Sequence, residues 1–380
     1  MLGPARTISF VSWPTPTPGA DGRAVRRVPA RVGLVGNPSD LHGGAVLAVP
    51  IPELVATVEA QTDPSVAGPI ELIGSGVVMR WADLDELRSE VANRGHPPGV
   101  GIITASFLRC LGHLHIGEGP AGSWRIGWTS DIPRSVGLAG SSALAVGVID
   151  ACAAAMGRRL PPVVVAALAL AVEAEDLGIV AGWQDRIVQA IGAPVLVDAA
   201  RMRIVDGLRV PAVEQLAWPN ELELLIAWRP ETAEESGTSH ARAGSAPDEV
   251  LVPAMEQLAT TARRGARALV AGEIAGLERA VRRTWSTRSA VVPLRPDHAA
   301  LVELVASTGL AATTPGSGGS VVALVPDVPV ADVPVADVPG SDVPGSDGAG
   351  ADPVRRSAVI AALDGSGTPW MWSRPGRTAR

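Results

Sequence analysis

Between Asp131 and Gly147 the chain reads DIPRSVGLAGSSALAVG, in which a proline, three glycines and two adjacent serines lead straight into an apolar run. This pattern predicts a glycine-rich turn that opens a helix over about residues 141–156. Such a junction exposes backbone N–H groups that no intrahelical acceptor satisfies, and the positive end of the helix dipole adds to them. The natural guest is an anion, above all phosphate. Gly137 and Gly140 are expected to take positive φ and let the backbone close on that guest. Ser141 and Ser142 can cap the helix, bond phosphate oxygens or ligate a metal.

Composition narrows the classes that could use this turn. At 380 residues and 47% hydrophobic, the chain is long enough for two cores. It contains no lysine, so all 32 basic side chains are arginine. A Walker A loop, a protein-kinase strand lysine and a Schiff-base nucleophile each require lysine, and all three classes are excluded. The net charge of −7 argues against a nucleic-acid partner. The apolar run Val163–Val172 is about half of the ~20 residues a bilayer crossing needs, so no membrane span is expected. The N-terminus lacks a basic start followed by an apolar core, so it does not read as an export signal. Cys110 and Cys152 form no disulfide framework, which fits a cytoplasmic protein.

Along the chain, residues 28–49 read as strand, glycine-rich turn and strand. Strand-like runs follow at 70–79 and 123–129, with a helical pattern over ADLDELRSEVANRG between them. After the quoted stretch, Pro161 and Pro162 open a second helix that reaches about Glu175. LGIVAGWQDRIVQAIGAPVLVD then continues as loop, short helix and strand, and the chain loosens around 206–218. A second block starts with the strand ELELLIAW, carries helices near 252–269 and 274–286, and presents another glycine-rich turn at TTPGSGGSVVALV. The fold class is α+β in two domains joined near residue 210. From Asp327 the chain repeats DVPVA, DVPVA, DVPGS and DVPGS, a proline-rich surface insertion with too little apolar surface to bury. A helix is expected to resume over PVRRSAVIAALDGSG.

PRSVGLAGSSALA resembles the phosphate motif of the GHMP kinases (galacto-, homoserine, mevalonate and phosphomevalonate kinases), Pro-x-x-x-Gly-Leu-Gly-Ser-Ser-Ala. Ala139 and Gly140 stand where that motif has one glycine, so this loop is one residue longer. VPARVGLVGNPSDLHGG and TTPGSGGSVVAL resemble the N-terminal substrate motif and the C-terminal glycine-rich loop of the same family. Within the family, RVGLVGNPSD, LGIVAGWQDRIVQ and PGSGGSVVAL resemble the glucuronokinase-like sugar 1-kinase branch. The resemblance implies a ribosomal protein S5 domain 2-like N-terminal domain over 28–210, after a loose leader at 1–27. It also implies a ferredoxin-like C-terminal domain over 211–380, interrupted by the repeat at 327–353. ATP and Mg2+ would lie between the two.

Phosphoryl transfer asks a protein for a phosphate cradle, a metal carboxylate, a base and a grip on the acceptor. The resemblance puts the cradle at Pro133, Gly137, Leu138, Ala139, Gly140, Ser141, Ser142 and Ala143, and the base at Asp185. Arg31 and Arg186 could keep that carboxylate ionised and bind the acceptor. The metal would fall to Ser142 with Glu173, which is preferred to Glu175; two residues apart on one helix, only one of the pair can face the site. Asn37, Ser39, Asp40 and His42 are candidate acceptor contacts, although His42 suits a surface turn equally well. Gly316, Ser317, Gly318 and Gly319 would buttress either the ATP phosphates or the acceptor. A uronic acid needs a cation for its carboxylate, and Arg134, Arg186, Arg242 and Arg288 are all available. The expected activity is ATP-dependent phosphorylation of a sugar, at the anomeric hydroxyl of a uronic acid such as glucuronate. The alternatives are another sugar such as a heptose phosphate or a galactose-like sugar, another small alcohol, or a non-catalytic regulator that binds ATP and sugar. The expected partners are the sugar and ATP alone, with a monomer or homodimer as the assembly.

Overall fold

The computed structural model describes residues 22–66, 68–115, 122–232, 247–326 and 351–376. The leader up to residue 21, Arg242 and the repeat as far as residue 350 lie outside the described residues.

The first block grows on a long antiparallel pair, β1 (Arg23–Val35) and β2 (Ala45–Asp63). Every residue from Val28 to Val35 is buried, so this stretch of β1 runs apolar without the alternation of a half-exposed strand. β3 (Ile70–Gly74), β4 (Val77–Trp81), β5 (Ser123–Ser130), β6 (Val195–Val205) and β7 (Leu208–Gln215) complete a seven-stranded sheet. Its order is β4-β3-β5-β2-β6-β7, with β1 also on β2 and the β3–β5 pair parallel. The second sheet, β11-β8-β10-β9, is antiparallel throughout and is formed by β8 (Leu222–Trp228), β9 (Ala311–Thr313), β10 (Ser320–Pro326) and β11 (Trp370–Ser373).

Helices fill the gaps. In the first block these are α1 (Leu84–Arg94), α2 (Gly101–His113), α3 (Gly140–Ala155), α4 (Pro162–Ala171) and α5 (Gln184–Ile191). In the second they are α6 (Asp248–Ala271), α7 (Ile274–Val291), α8 (Pro296–Ala306) and α9 (Ala351–Gly365). α3 is built almost wholly from small and apolar residues and is buried on nearly every side, between β1 and β2 and the helices α2 and α4. At Gly147 a Cβ would come within 2.7 Å of Val58 Cγ2, so the glycine sets how closely α3 lies on β2. The blocks are not separate bodies, since α6 packs on β2, and α7 on both β1 and β9.

Three differences from the sequence reading have local causes. The run at 70–79 is a hairpin of two strands, β3 and β4, turning where Ser75 (φ 50°) and Gly76 (φ 77°) take the left-handed region. The stretch at 206–218 does not loosen. Asp206 (φ 48°) and Gly207 (φ 77°) form a tight hairpin turn into β7, so the first sheet extends to Gln215. α2 escapes a periodicity reading because its residues are apolar on most of its circumference. At the edges, β1 begins at Arg23, inside the stretch read as leader, and α9 begins at Ala351, inside the repeat segment.

One buried ion pair joins three of these elements. Arg26 on β1, 2% exposed, sets its Nε 2.9 Å from Asp150 Oδ2 on α3 and donates from Nη2 to Ala190 O on α5 at 3.1 Å. Removing one partner strands a charge in the core, whereas replacing both with apolar residues of similar volume does not. Arg26→Ala is therefore expected to lower the unfolding free energy by about 3–5 kcal/mol, and Arg26→Met with Asp150→Leu to recover most of that loss in urea titrations.

Candidate active site

The two glycine-rich loops meet backbone to backbone. Gly137 takes φ 82°, and a Cβ on it would lie 2.8 Å from Gly318 O and 3.2 Å from the Ser317 nitrogen. On the other loop, a Cβ on Gly316 would run into Gly137 O and come within 2.9 Å of Arg31 Nη1. Ser320 Oγ ties the loops together by donating to Val136 O at 2.6 Å. No side chain fits between them, which is the physical reason for glycine on both sides.

Arg31, projecting from β1 and 4% exposed, clasps this junction. Its Nη1 donates to Gly137 O at 2.9 Å and to Pro315 O at 3.0 Å, and its Nε to Asp185 Oδ1 at 2.5 Å. Behind the second loop, Arg288 of α7 donates from Nη2 to Gly316 O at 2.7 Å and from Nη1 to Thr314 O at 3.4 Å. Burial, with repulsion from Arg31, lowers the Arg288 pKa to about 10. In a planar trans peptide the next N–H points opposite to the carbonyl. Drawing the Gly137, Pro315 and Gly316 carbonyls onto guanidinium groups therefore turns the N–H groups of Leu138, Gly316 and Ser317 to the other side, away from the cations.

The mouth of α3 differs from expectation in its backbone. Ala139, not Gly140, takes the left-handed conformation, with φ 63° and ψ 43°. Gly140 is the first helical residue and has no positive φ; a Cβ there would meet Ile132 at an ordinary 3.5 Å. Gln189 of α5 holds the strained residue by donating to Ala139 O at 2.8 Å. Leu138 and Ala143 are buried and Pro133 is half-buried. Ser142 is buried and donates to Ala139 O at 3.3 Å, whereas Ser141 Oγ faces Glu173 Oε1 at 3.2 Å. Within the fold the hydroxyl that reaches Glu173 is thus that of Ser141.

Glu173 sits on a π-helical turn, Val172–Asp176, that continues α4. The extra residue in such a turn changes which side chains point inward. Glu173 is 2% exposed and pairs with Arg186, while the Glu175 side chain is 67% exposed and pairs with Arg109 at 3.1 Å on the outer side. Asp185 occupies the first turn of α5, where the helix dipole favours an acid. Arg186 donates to Glu173 and to Gly182 O at 2.8 Å, with Asp185 Oδ2 at 3.5 Å from its Nη1. Burial alone would lower the Arg186 pKa, but Glu173 and Asp185 outweigh it and hold it above the usual arginine value.

The turn after β1 supplies a third group. Asp40 is buried and accepts from the Gln184 backbone N–H at 2.9 Å, and Gln184 Nε2 donates to Asn37 Oδ1 at 2.7 Å. Among the described residues nothing partners the buried Asn37 Nδ2, Asp40 Oδ1 and Gln184 Oε1, a donor and two acceptors close together. Such atoms carry a desolvation cost until a ligand or water meets them. Ser39 is engaged in bracing the turn, donating to Ala45 O at 2.8 Å, and His42 is exposed. Gln184 has one signal in the sequence, its adjacency to Asp185 in LGIVAGWQDRIVQ. Burial pushes the Asp40 carboxyl above the usual carboxylate range, opposed by the Gln184 N–H and reinforced by Asp185.

A mixed fold with two glycine-rich loops closing over a buried arginine-carboxylate cluster defines a class. The family model of the GHMP kinases N terminal domain matches residues 104–193, from α2 to just past α5, so the chain carries the N-terminal domain of the GHMP kinases within a GHMP kinase fold. Glucuronokinase 1 of Arabidopsis thaliana is 26% identical over 332 residues, covering 83% of this chain and 90% of that protein. Lactococcus lactis galactokinase, solved with galactose, superposes with TM-score 0.68 at 16% identity, covering 92% of each chain. Streptococcus pneumoniae phosphomevalonate kinase, solved with phosphomevalonate and AMPPNP, superposes with TM-score 0.68 at 14% identity over 92% of this chain and 99% of its own. Among the described residues no helix is long and apolar enough to cross a membrane.

Two expectations follow from the geometry. Gly316→Ala, which drives a methyl into Gly137 O, should abolish closure of the two loops and reduce nucleotide affinity in titration calorimetry, whereas Gly140→Ala should bind as the parent does. Because the folded-state pKa of Asp40 is raised, its ionisation costs stability that is intact below the ordinary carboxylate range and is lost as pH rises through the folded pKa. Asp40→Asn should therefore gain stability over the parent progressively from acid to neutral pH in urea titrations; a difference independent of pH would contradict this.

Proposed function

We propose that the protein is an ATP-dependent phosphotransferase acting on a sugar, and that its acceptor is the anomeric hydroxyl of a uronic acid such as glucuronate. The observation that carries this reading is the Arg31 clasp, because one guanidinium fixes a carboxylate against both anion-binding loops. The N–H groups at the mouth of α3 and on the Gly316–Gly319 loop suit a triphosphate, with the loop bringing the second block to it. The 26% identity to an Arabidopsis glucuronokinase supports the uronic acid over a neutral sugar.

Asp185 takes the acceptor proton. Arg31 holds its Oδ1 and Arg186 Nη1 lies 3.5 Å from its Oδ2, so the carboxylate that receives the hydrogen bond from the sugar hydroxyl is steered by both arginines. As the γ-phosphorus leaves ADP, the acceptor oxygen bonds to it and its proton passes to that carboxylate. With Arg31 and Arg186 on either side, the Asp185 carboxylate is held in place, and its contribution is orientation together with acceptance of the proton. Asn37, Asp40 and Gln184 grip the remaining sugar hydroxyls through their unpartnered atoms. Glu173 and the Ser141 hydroxyl are hard oxygen donors of the kind Mg2+ takes, with Ser142 one residue further on. Bound there with the phosphates, the ion would neutralise charge on the transferring group.

Incubation with MgATP and a panel of glucuronate, galactose and heptose phosphates, followed by location of the product phosphate, tests the acceptor. Asp185→Asn is expected to lower kcat by about 10²–10⁴-fold while MgATP affinity is retained. A kcat close to that of the parent would remove Asp185 from the reaction.

A further inference from the structure

Four arginines are buried among the described residues, and three of them face a carboxylate: Arg26 with Asp150, Arg31 with Asp185, and Arg186 with Glu173. Arg288 is the exception. Only 2% exposed, it is held by two carbonyls of the second glycine-rich loop; its Nε has no partner, and the nearest charge acting on it is the like charge of Arg31. A buried cation held by carbonyls alone carries a desolvation cost that no carboxylate among the described residues offsets. Bracing a loop does not explain it, because a neutral amide could donate to the same carbonyls without that cost.

We infer that Arg288 is a positioning residue that makes the Thr314–Gly319 loop select an anionic group of the bound ligands. Its charge polarises the Gly316 peptide, so that the Ser317 N–H on the far side of that peptide carries added positive character, and the arriving anion supplies the missing counter-charge. Of the four arginines available for a uronic acid carboxylate, Arg134 is exposed, Arg186 is neutralised by Glu173 and Arg242 lies outside the described residues. Among the three that are described, Arg288 alone is both buried and unneutralised. The anion has two possible sources, the carboxylate of the acceptor and the γ-phosphate of ATP. This inference rests on the kinase reading, which supplies both.

The experiment measures binding by calorimetry for the parent, Arg288→Lys and Arg288→Gln, with glucuronate, glucose, ATP and ADP as probes and circular dichroism to check folding. Lysine keeps the charge and loses the fork; glutamine keeps an N–H donor and loses the charge. Arg288→Gln is expected to weaken glucuronate or ATP by about tenfold or more while glucose and ADP change little, and Arg288→Lys to stay within about threefold of the parent. Loss confined to glucuronate assigns the acceptor carboxylate, and loss confined to ATP assigns the γ-phosphate. Equal behaviour of the lysine and glutamine variants, or equal losses for charged and neutral probes, would overturn the inference and leave Arg288 a brace. If neither variant folds, the parent decides: it must bind glucuronate about tenfold tighter than glucose, or ATP about tenfold tighter than ADP. Equal affinities in both pairs overturn the inference. Turnover is scored separately, so a parent that binds these anions but transfers no phosphate counts against the kinase reading alone.

Discussion

The Arg31 guanidinium is the contact on which the cleft depends. Its donors form a rigid planar fork, so the carbonyls of Gly137 and Pro315 and the carboxylate of Asp185 must arrive at fixed angles. A lysine could not impose that geometry, since its ammonium is a point charge on a flexible stem. The glycines on both loops follow from the same contact, because loops drawn onto a single side chain approach too closely for a Cβ. The burial of β1 on both faces follows as well, since the strand that carries the clasp lies under α3 and α5 from its own block and α7 from the other.

Arginine chemistry also shapes the interior around that clasp. Arg26 links β1 to α3 and α5, Arg186 locks the π-helical turn to α5, and Arg263 of α6 joins Asp198 of β6 at 2.8 Å across the two blocks. Each pair fixes a relative position that apolar packing alone would leave free to slide. Buried pairs add little net stability, so their effect is on which arrangement wins rather than on how far it lies below the unfolded chain.

Much of this was legible in the sequence because it depends on short-range pattern. The glycine-rich mouth of α3 and the strand-turn-strand start are local signatures, Asp185 and Glu173 were singled out by the family resemblance, and the fold places these residues together, with Glu173 inward and Glu175 outward. What was misread turns on backbone conformation or distant pairing. Ala139 adopts a conformation that sequence rules assign to glycine, because Gln189, fifty positions away, holds its carbonyl. Asp206-Gly207 did carry a hairpin signal, masked by the polar residues around it. The isolated charge of Arg288 could not be seen at all, since counting arginines does not tell which of them meets a carboxylate.

The distances along the chain between the partners of Arg31 bear on how the molecule comes into being. They are 106, 154 and 284 positions away. Contacts of that span cannot form early, because each must first close a long loop whose entropy is returned only by packing elsewhere. During synthesis, which runs from the N-terminus, the first sheet and α3 can be in place while the cleft is still missing one wall. The geometry of the cleft is therefore a property of the finished chain: it comes together at the last long-range docking, and a growing fragment has only part of its walls.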